Sequence, residues 1–229
     1  MISIDSCQFY CLSFNNKERY NRMINRFKNL NIECKFYKGV SHNDNRINKN
    51  LNKSTKRNWS ITYSHLDMIG DFYFNSDKKF AIICEDDICI HKDVKKIIHN
   101  IINDFNILGL DILLLSYMLP YKIGRENLFT NYKLKVVMPE DSQFKYHEYP
   151  EYLSGTQMYM INKKYAYYLI DKYYFNYAGI KDQHFISDKI LIKEGNKALI
   201  YPMIAVEDEN QDDLYHQLCH KVHFTENYI

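Results

Sequence analysis

KFAIICEDDICI, residues 79–90, runs from a charged surface position through a buried strand and ends on three consecutive carboxylates. Lys79 to Cys84 is apolar enough for a strand covered on both faces of a parallel sheet. Glu85, Asp86 and Asp87 then arrive together at its end. Adjacent like charges repel and resist burial, so placing them against a core costs stability unless something positive sits among them. A divalent cation answers that need, since Mg²⁺ or Mn²⁺ takes oxygen ligands and binds a diphosphate at the same time. Ligand sites in open parallel sheets also lie at the carboxyl ends of strands. An acidic turn with Asp86 and Asp87 facing water satisfies the same residues, and the stretch alone leaves the two readings open.

Working outward, Gln8 to Ser13 reads as a strand, and Asn15 with Glu18 as the capping box of a helix carrying Tyr20, Met23, Ile24, Phe27 and Leu30 at helical spacing. Glu33 to Val40 returns to strand character. Residues 42–57 are rich in Asn and Lys and read as a loop or lid. A helix is expected over Ser60 to Phe74, and a clearer one over Val94 to Phe105 with Gly109 past its end. Asp111 to Ser116 is a further buried strand. Residues 120–150 carry turn signals and a short alternating stretch at 132–137, which suits a hairpin and acceptor-side loops. Strands at Gln157 to Ile161 and Ala198 to Tyr201 and helices at Lys163 to Phe175 and Asp182 to Lys193 follow. Residues 203–229 read as a peripheral tail. The alternation predicts one α/β domain over residues 1–229, with a mostly parallel central sheet and helices on both faces.

The whole chain narrows the classes of function. Among 229 residues, 30 Lys and Arg nearly balance 28 Asp and Glu, so no bulk positive field marks a nucleic-acid binder. Hydrophobic residues at 46% argue against global disorder. No signal-peptide pattern opens the sequence, and the apolar run Ile112 to Leu119 is far shorter than the roughly 20 residues of a spanning helix. The six cysteines form no CxxC pair, which fits reduced, mostly structural thiols and a cytoplasmic setting. No P-loop pattern is present.

Several short motifs recur in one order. FYCLSFNNKERYNRM at residues 9–23 offers a strand, an Asn, and basic residues Arg19 and Arg22 on a helix. FYKGV at residues 36–40 ends on an apolar residue after Gly. Ser64-His65 stands on the helix before the acidic strand, IICEDD occupies residues 82–87, YLSGTQMYMI residues 152–161, and IKDQH residues 180–184. In this order and spacing the chain resembles glycosyltransferase family 25, the lipooligosaccharide-type galactosyltransferases that also include the collagen hydroxylysine galactosyltransferases. It departs from the family at Ile61 to Tyr63, where Gly-Cys is usual, and at Cys84 and Lys181, where aliphatic residues are usual. The resemblance implies a GT-A-like nucleotide-sugar-binding fold, a metal site at the acidic motif, a UDP-sugar donor and inversion at the anomeric carbon.

With that resemblance, the residues take expected roles. Glu85 and Asp87 are one residue apart and point the same way along an extended chain, while Asp86 points elsewhere. Asp87 is expected to hold Mn²⁺ or Mg²⁺, with Glu85 as metal partner and catalytic carboxylate. Asp182 is the expected general base, although a carboxylate before a helix also serves as an N-cap. Arg19, Arg22, Ser64, His65 and Asp86 are expected on the donor side, and Gly155, Thr156 and His184 beside the acceptor, a glycan, a lipid-linked glycan or a protein hydroxyl. Ser64 and His65 lack an acid at triad spacing, which argues against serine hydrolase chemistry. His216, His220 and His223 fall on one face of a helix, and a metal site there competes with a structural role. A catalytically inactive binding or scaffold protein and a metal-dependent nucleotidyltransferase are the competing functions.

Overall fold

The computed structural model describes residues 4–120, 142–149, 153–175, 185–209 and 213–229. A short 3₁₀ turn leads into β1 (Cys7–Ser13), and α1 spans Lys17–Asn29. Its cap is Asn16, not Asn15: the Asn16 side chain accepts from the backbone N–H groups of Glu18 and Arg19 at 3.1 and 3.0 Å. Asn15 instead takes φ +51°, a left-handed turn that Asn tolerates, so the chain reverses one residue ahead of the cap.

β2 (Cys34–Lys38) is followed by turns, and α2 (Lys53–Asn75) begins well before the expected Ser60, with Asn52 as its cap. The opening turn exposes Lys53, Ser54 and Arg57 and buries only Thr55, so its polarity masks a helix. Arg46 ties the preceding loop to α2 by ion pairs to Asp44 at 2.9 Å and Asp67 at 2.7 Å. Its guanidinium also lies 4.7 Å from the Tyr63 ring centre.

The remaining strands are β3 (Phe80–Glu85), β4 (Ile88–Ile90), β5 (Ile112–Ser116), β6 (Lys145–His147), β7 (Met158–Asn162), β8 (Lys197–Tyr201) and β9 (Ala205–Glu207). The remaining helices are α3 (Val94–Ile107), α4 (Lys163–Leu169), which continues as a π-helical segment over Ile170–Phe175, α5 (Ser187–Ile190) and α6 (Leu214–His223). α5 is shorter than the helix expected from Asp182 to Lys193. The stretch at 132–137 lies outside the described residues.

Among the described residues, seven strands form one sheet in the order β2-β1-β3-β7-β5-β8-β6. β1 pairs in parallel with β2 and β3, and β5 with β8. β7 runs antiparallel between β3 and β5, and β6 antiparallel to β8. The sheet is therefore mixed, which corrects the expectation of a mostly parallel one. Burial on both faces makes a strand such as MYMIN apolar whichever way it runs, so direction is not written in the pattern.

Helices do cover both faces. Ala81 and Ile83 of β3 join the core under α2 and α4, while Ile82 and Cys84 join the core under α1 and α3. Truncating a fully buried Ile82 or Ile83 to Ala would cost about 2–5 kcal/mol. Among the described residues, the stretch 203–229 expected as a peripheral tail holds β9 and α6. β9 is buried and pairs antiparallel with β4, Ile88 opposite Glu207, while the Ile229 backbone exchanges hydrogen bonds with Ile90 at 2.9 and 3.0 Å. Among the described residues, no helix is long and apolar enough to cross a membrane.

Candidate functional site

The site forms where β3 ends. Glu85 continues the ladder to β7, its N–H donating to the Gln157 carbonyl at 2.9 Å. Glu85 and Asp87 both line two adjoining clefts, and Asp86, expected to point elsewhere, lines the first of them as well. One cleft, about 320 Å³, lies against the end of β1, the Gly39-Val40 turn and α2. The other, about 570 Å³, opens toward Gly155 to Gln157, Asp188 and Glu207.

The three carboxylates are treated differently. Asp86 accepts a 2.7 Å hydrogen bond from Ser13 Oγ and so ties the acidic turn to β1, with its carboxyl raised by burial. Arg19 Nη1 reaches Asp87 Oδ2 at 3.0 Å and Asp86 Oδ1 at 3.7 Å. Asp87 Oδ1 is buried with no hydrogen-bond partner. Burial first, then the charge of Glu85, pushes the Asp87 carboxyl up to about 7 against the opposing pull of Arg19. A buried carboxylate oxygen with nothing to accept from is costly, and a ligand that supplies positive charge would relieve it.

The Ser-His pair sits behind this corner. Ser64 Oγ donates to the Ser60 carbonyl at 2.7 Å and accepts from Val40 N–H at 2.8 Å, so its hydroxyl braces the Gly39-Val40 turn. His65 is fully buried and lines neither cleft. Its Nδ1 lies 3.0 Å from the Tyr159 hydroxyl and its Nε2 3.5 Å from Glu85 Oε1. Arg22 bonds Glu18 at 2.7 Å and approaches Asp208 at 3.5 Å, which turns it toward the end of β9.

On the other side, Gly155 takes φ +128°, a conformation that favours glycine. Thr156 Oγ1 donates to Asp188 Oδ1 at 2.9 Å. Asp182 and His184 lie outside the described residues. Asp188, Gln157 and Glu207 were not anticipated. The Asp188 carboxyl is raised by burial and then by the charge of Glu85. Glu207 accepts from Gln157 Nε2 at 3.0 Å and pairs with His216 Nδ1 at 2.6 Å, its carboxyl likewise raised by burial. AVED at residues 205–208 repeats the apolar-then-acidic pattern of IICEDD, the one signal that pointed to it.

The three late histidines do fall on a helix, α6. His220 Nδ1 bonds the Glu207 carbonyl and His223 Nε2 the Leu119 carbonyl at 2.9 Å, so both rings anchor backbone. Among the described residues, no three His, Cys, Asp or Glu side chains gather as a ligand set. The corner still fits a hard cation of the kind that takes one or two carboxylates and completes its shell with phosphate and water. The unpartnered Asp87 oxygen beside Glu85 is the observation that makes it fit.

The family model described as "Glycosyltransferase family 25 (LPS biosynthesis protein)" matches residues 7–186. No curated protein matches the chain in sequence. Among solved structures, A197 from STIV is 12% identical, with 84% of this chain and 80% of that one covered at a TM-score of 0.44. A glycosyltransferase involved in the glycosylation of the major capsid of PBCV-1 is 10% identical, covering 94% and 98% at 0.43. A putative glucose-1-phosphate thymidylyltransferase from Bacillus anthracis, in complex with a sucrose, is 10% identical, covering 96% and 98% at 0.42. Likenesses this distant carry no argument about activity.

Proposed function

The chain belongs to glycosyltransferase family 25, and on that premise we propose that it moves a hexose from a UDP-sugar to a hydroxyl acceptor, with inversion, in a GT-A-like fold. The observation that carries the reading is the corner at the end of β3, where Asp87 keeps a buried oxygen without a partner between two clefts. In this reading the cleft against Gly39-Val40 and Ser64 takes the donor, and the cleft beside Gly155 and Thr156 takes the acceptor, a glycan, lipid-linked glycan or protein.

A bound Mn²⁺ or Mg²⁺, held by Asp87 and Glu85, would neutralise charge on the departing UDP. Arg19 holds one Asp87 oxygen and leaves the other open, which sets the carboxylate's direction before any ligand enters. His65 is seated behind Glu85, its Nε2 3.5 Å from that carboxylate and without a hydrogen bond of its own. An inverting transfer also needs a base within about 3 Å of the attacking hydroxyl, and Asp182 is the residue we assign. Asp182→Asn should therefore lower turnover by at least roughly 100-fold with UDP-sugar binding nearly intact. Unchanged turnover would refute the assignment.

The direct test is a thermal-shift screen of UDP-galactose, UDP-glucose and UDP-N-acetylglucosamine with Mn²⁺, followed by assay of UDP release. One preferred donor should stabilise the protein and be slowly hydrolysed to UDP and free sugar. Asp87→Ala should lower that release by about 100-fold or more, the scale of losing one contact that stabilises developing charge. Release of UMP in place of UDP would favour nucleotidyl chemistry, and no binding of any donor would favour a protein without activity.

A further inference from the structure

We propose that Arg57 is the cation that meets the diphosphate of the donor, an inference that rests on the nucleotide-sugar reading above. Arg57, Ser60, Ile61 and Ser64 recur at helical spacing along α2, and this one face forms a wall of the first cleft. Arg57 also borders the second cleft, so, like Glu85 and Asp87, it lines both. It is exposed, and among the described residues it has no ion-pair partner.

The other basic side chains that line the two clefts are Arg19, His216 and His42, the last stacked on the Phe14 ring. Arg19 is held by Asp87 at 3.0 Å, and His216 by Glu207 at 2.6 Å. Arg22 and Arg26, which line neither cleft, close on Asp208 at 3.5 and 2.7 Å. Meanwhile Glu85, Asp87, Asp188 and Glu207 give the junction an excess of negative charge that would repel an entering diphosphate. Arg57 supplies the missing counter-charge in the right form, because a guanidinium fork spans two phosphate oxygens at once. It lies one turn inside the N-terminus of a 23-residue helix, where the backbone's partial positive charge adds to its own.

Titration calorimetry of the full chain with Mn²⁺ and UDP, and separately with uridine, tests the assignment. Arg57→Ala should weaken UDP by about tenfold or more and change uridine by less than about twofold, because only the diphosphate loses a partner. Arg57→Lys should fall between, keeping charge and losing the fork. UDP binding unchanged by either substitution, or UDP and uridine weakened alike, would overturn the role of Arg57 alone. Failure of the unmodified protein to bind UDP would overturn the nucleotide-sugar reading, and this inference with it.

Discussion

Two strand ends carry buried acid within one hydrogen bond of each other, and the chain treats them in opposite ways. Asp208 N–H donates to the Asp87 carbonyl at 2.8 Å, joining the corner after β3 to the corner after β9. The Asp208 side chain, 3% exposed, meets Arg26 at 2.7 Å and Arg22 at 3.5 Å. Arg26 is itself fixed, donating to the Ile88 carbonyl at 2.9 Å. Asp87 is half-buried, its side chain 16% exposed, yet its buried Oδ1 accepts nothing and its carboxyl is pushed up to about 7. The first corner is a closed electrostatic unit that fixes β9 against α1. The second is left open, at a cost in stability, and that cost marks it as a place for a ligand.

The largest effect on folding should come from breaking the closed corner. Asp208→Ala removes a buried carboxylate and leaves the Arg26 guanidinium without its acid, while Arg22 keeps Glu18, so it should cost about 3 kcal/mol. Urea unfolding at pH 7.5 measures it. A loss below about 1 kcal/mol would mean that the two corners do not differ as described.

The open corner should respond in the other direction. A carboxyl at about 7 in the folded state and near 3.9 in the unfolded chain makes folding take up a proton between those values. Stability is therefore lost as pH rises from about 4 to 7, and the full cost remains above 7. Asp87→Asn removes the titration, and after allowing for the lost Arg19 pair it should stabilise the chelator-treated protein by about 1–2 kcal/mol at pH 8. The gain should shrink toward pH 5. Thermal melts at both pH values decide it, and an Asn variant less stable than the parent at pH 8 would show that Arg19 fully compensates the acid.

Much of this architecture is legible from residues alone, and the limits have physical causes. α1 and α3 and the strands β1, β3 and β5 follow from periodicity, because their apolar positions face a core at fixed spacing. The direction of β7 does not follow, since burial on two faces makes Met158 to Ile161 apolar in either orientation. The start of α2 is hidden because its first turn buries only Thr55. Of the candidate site, Glu85, Asp87 and Arg19 were readable as strand end and first helical turn. Asp188 and Glu207 were not, because they reach Glu85 only through the fold, from α5 and β9. His65 was readable as present but not as buried behind Glu85, since nothing in a helical pattern says which polar residue the sheet will cover.

Glu207 lies between the two cases and should give the smallest effect. It is as buried as its neighbours, but its partners are a side-chain amide and an imidazole. Both can reorient: Gln157 has an unpartnered Oε1 to offer if its amide turns, and neutral His216 can present an accepting nitrogen. The guanidiniums around Asp208 have no such freedom, because they only donate. Glu207→Gln therefore removes a buried charge that burial disfavours and keeps every hydrogen bond satisfiable. Its unfolding free energy should stay within about 0.5 kcal/mol of the parent at pH 8, where an Asp208 change of similar burial costs several times more. A loss as large as that of Asp208→Ala would mean that the Glu207 charge, and not its hydrogen bonds, holds α6 in place, and the closed unit would then extend across both β9 carboxylates.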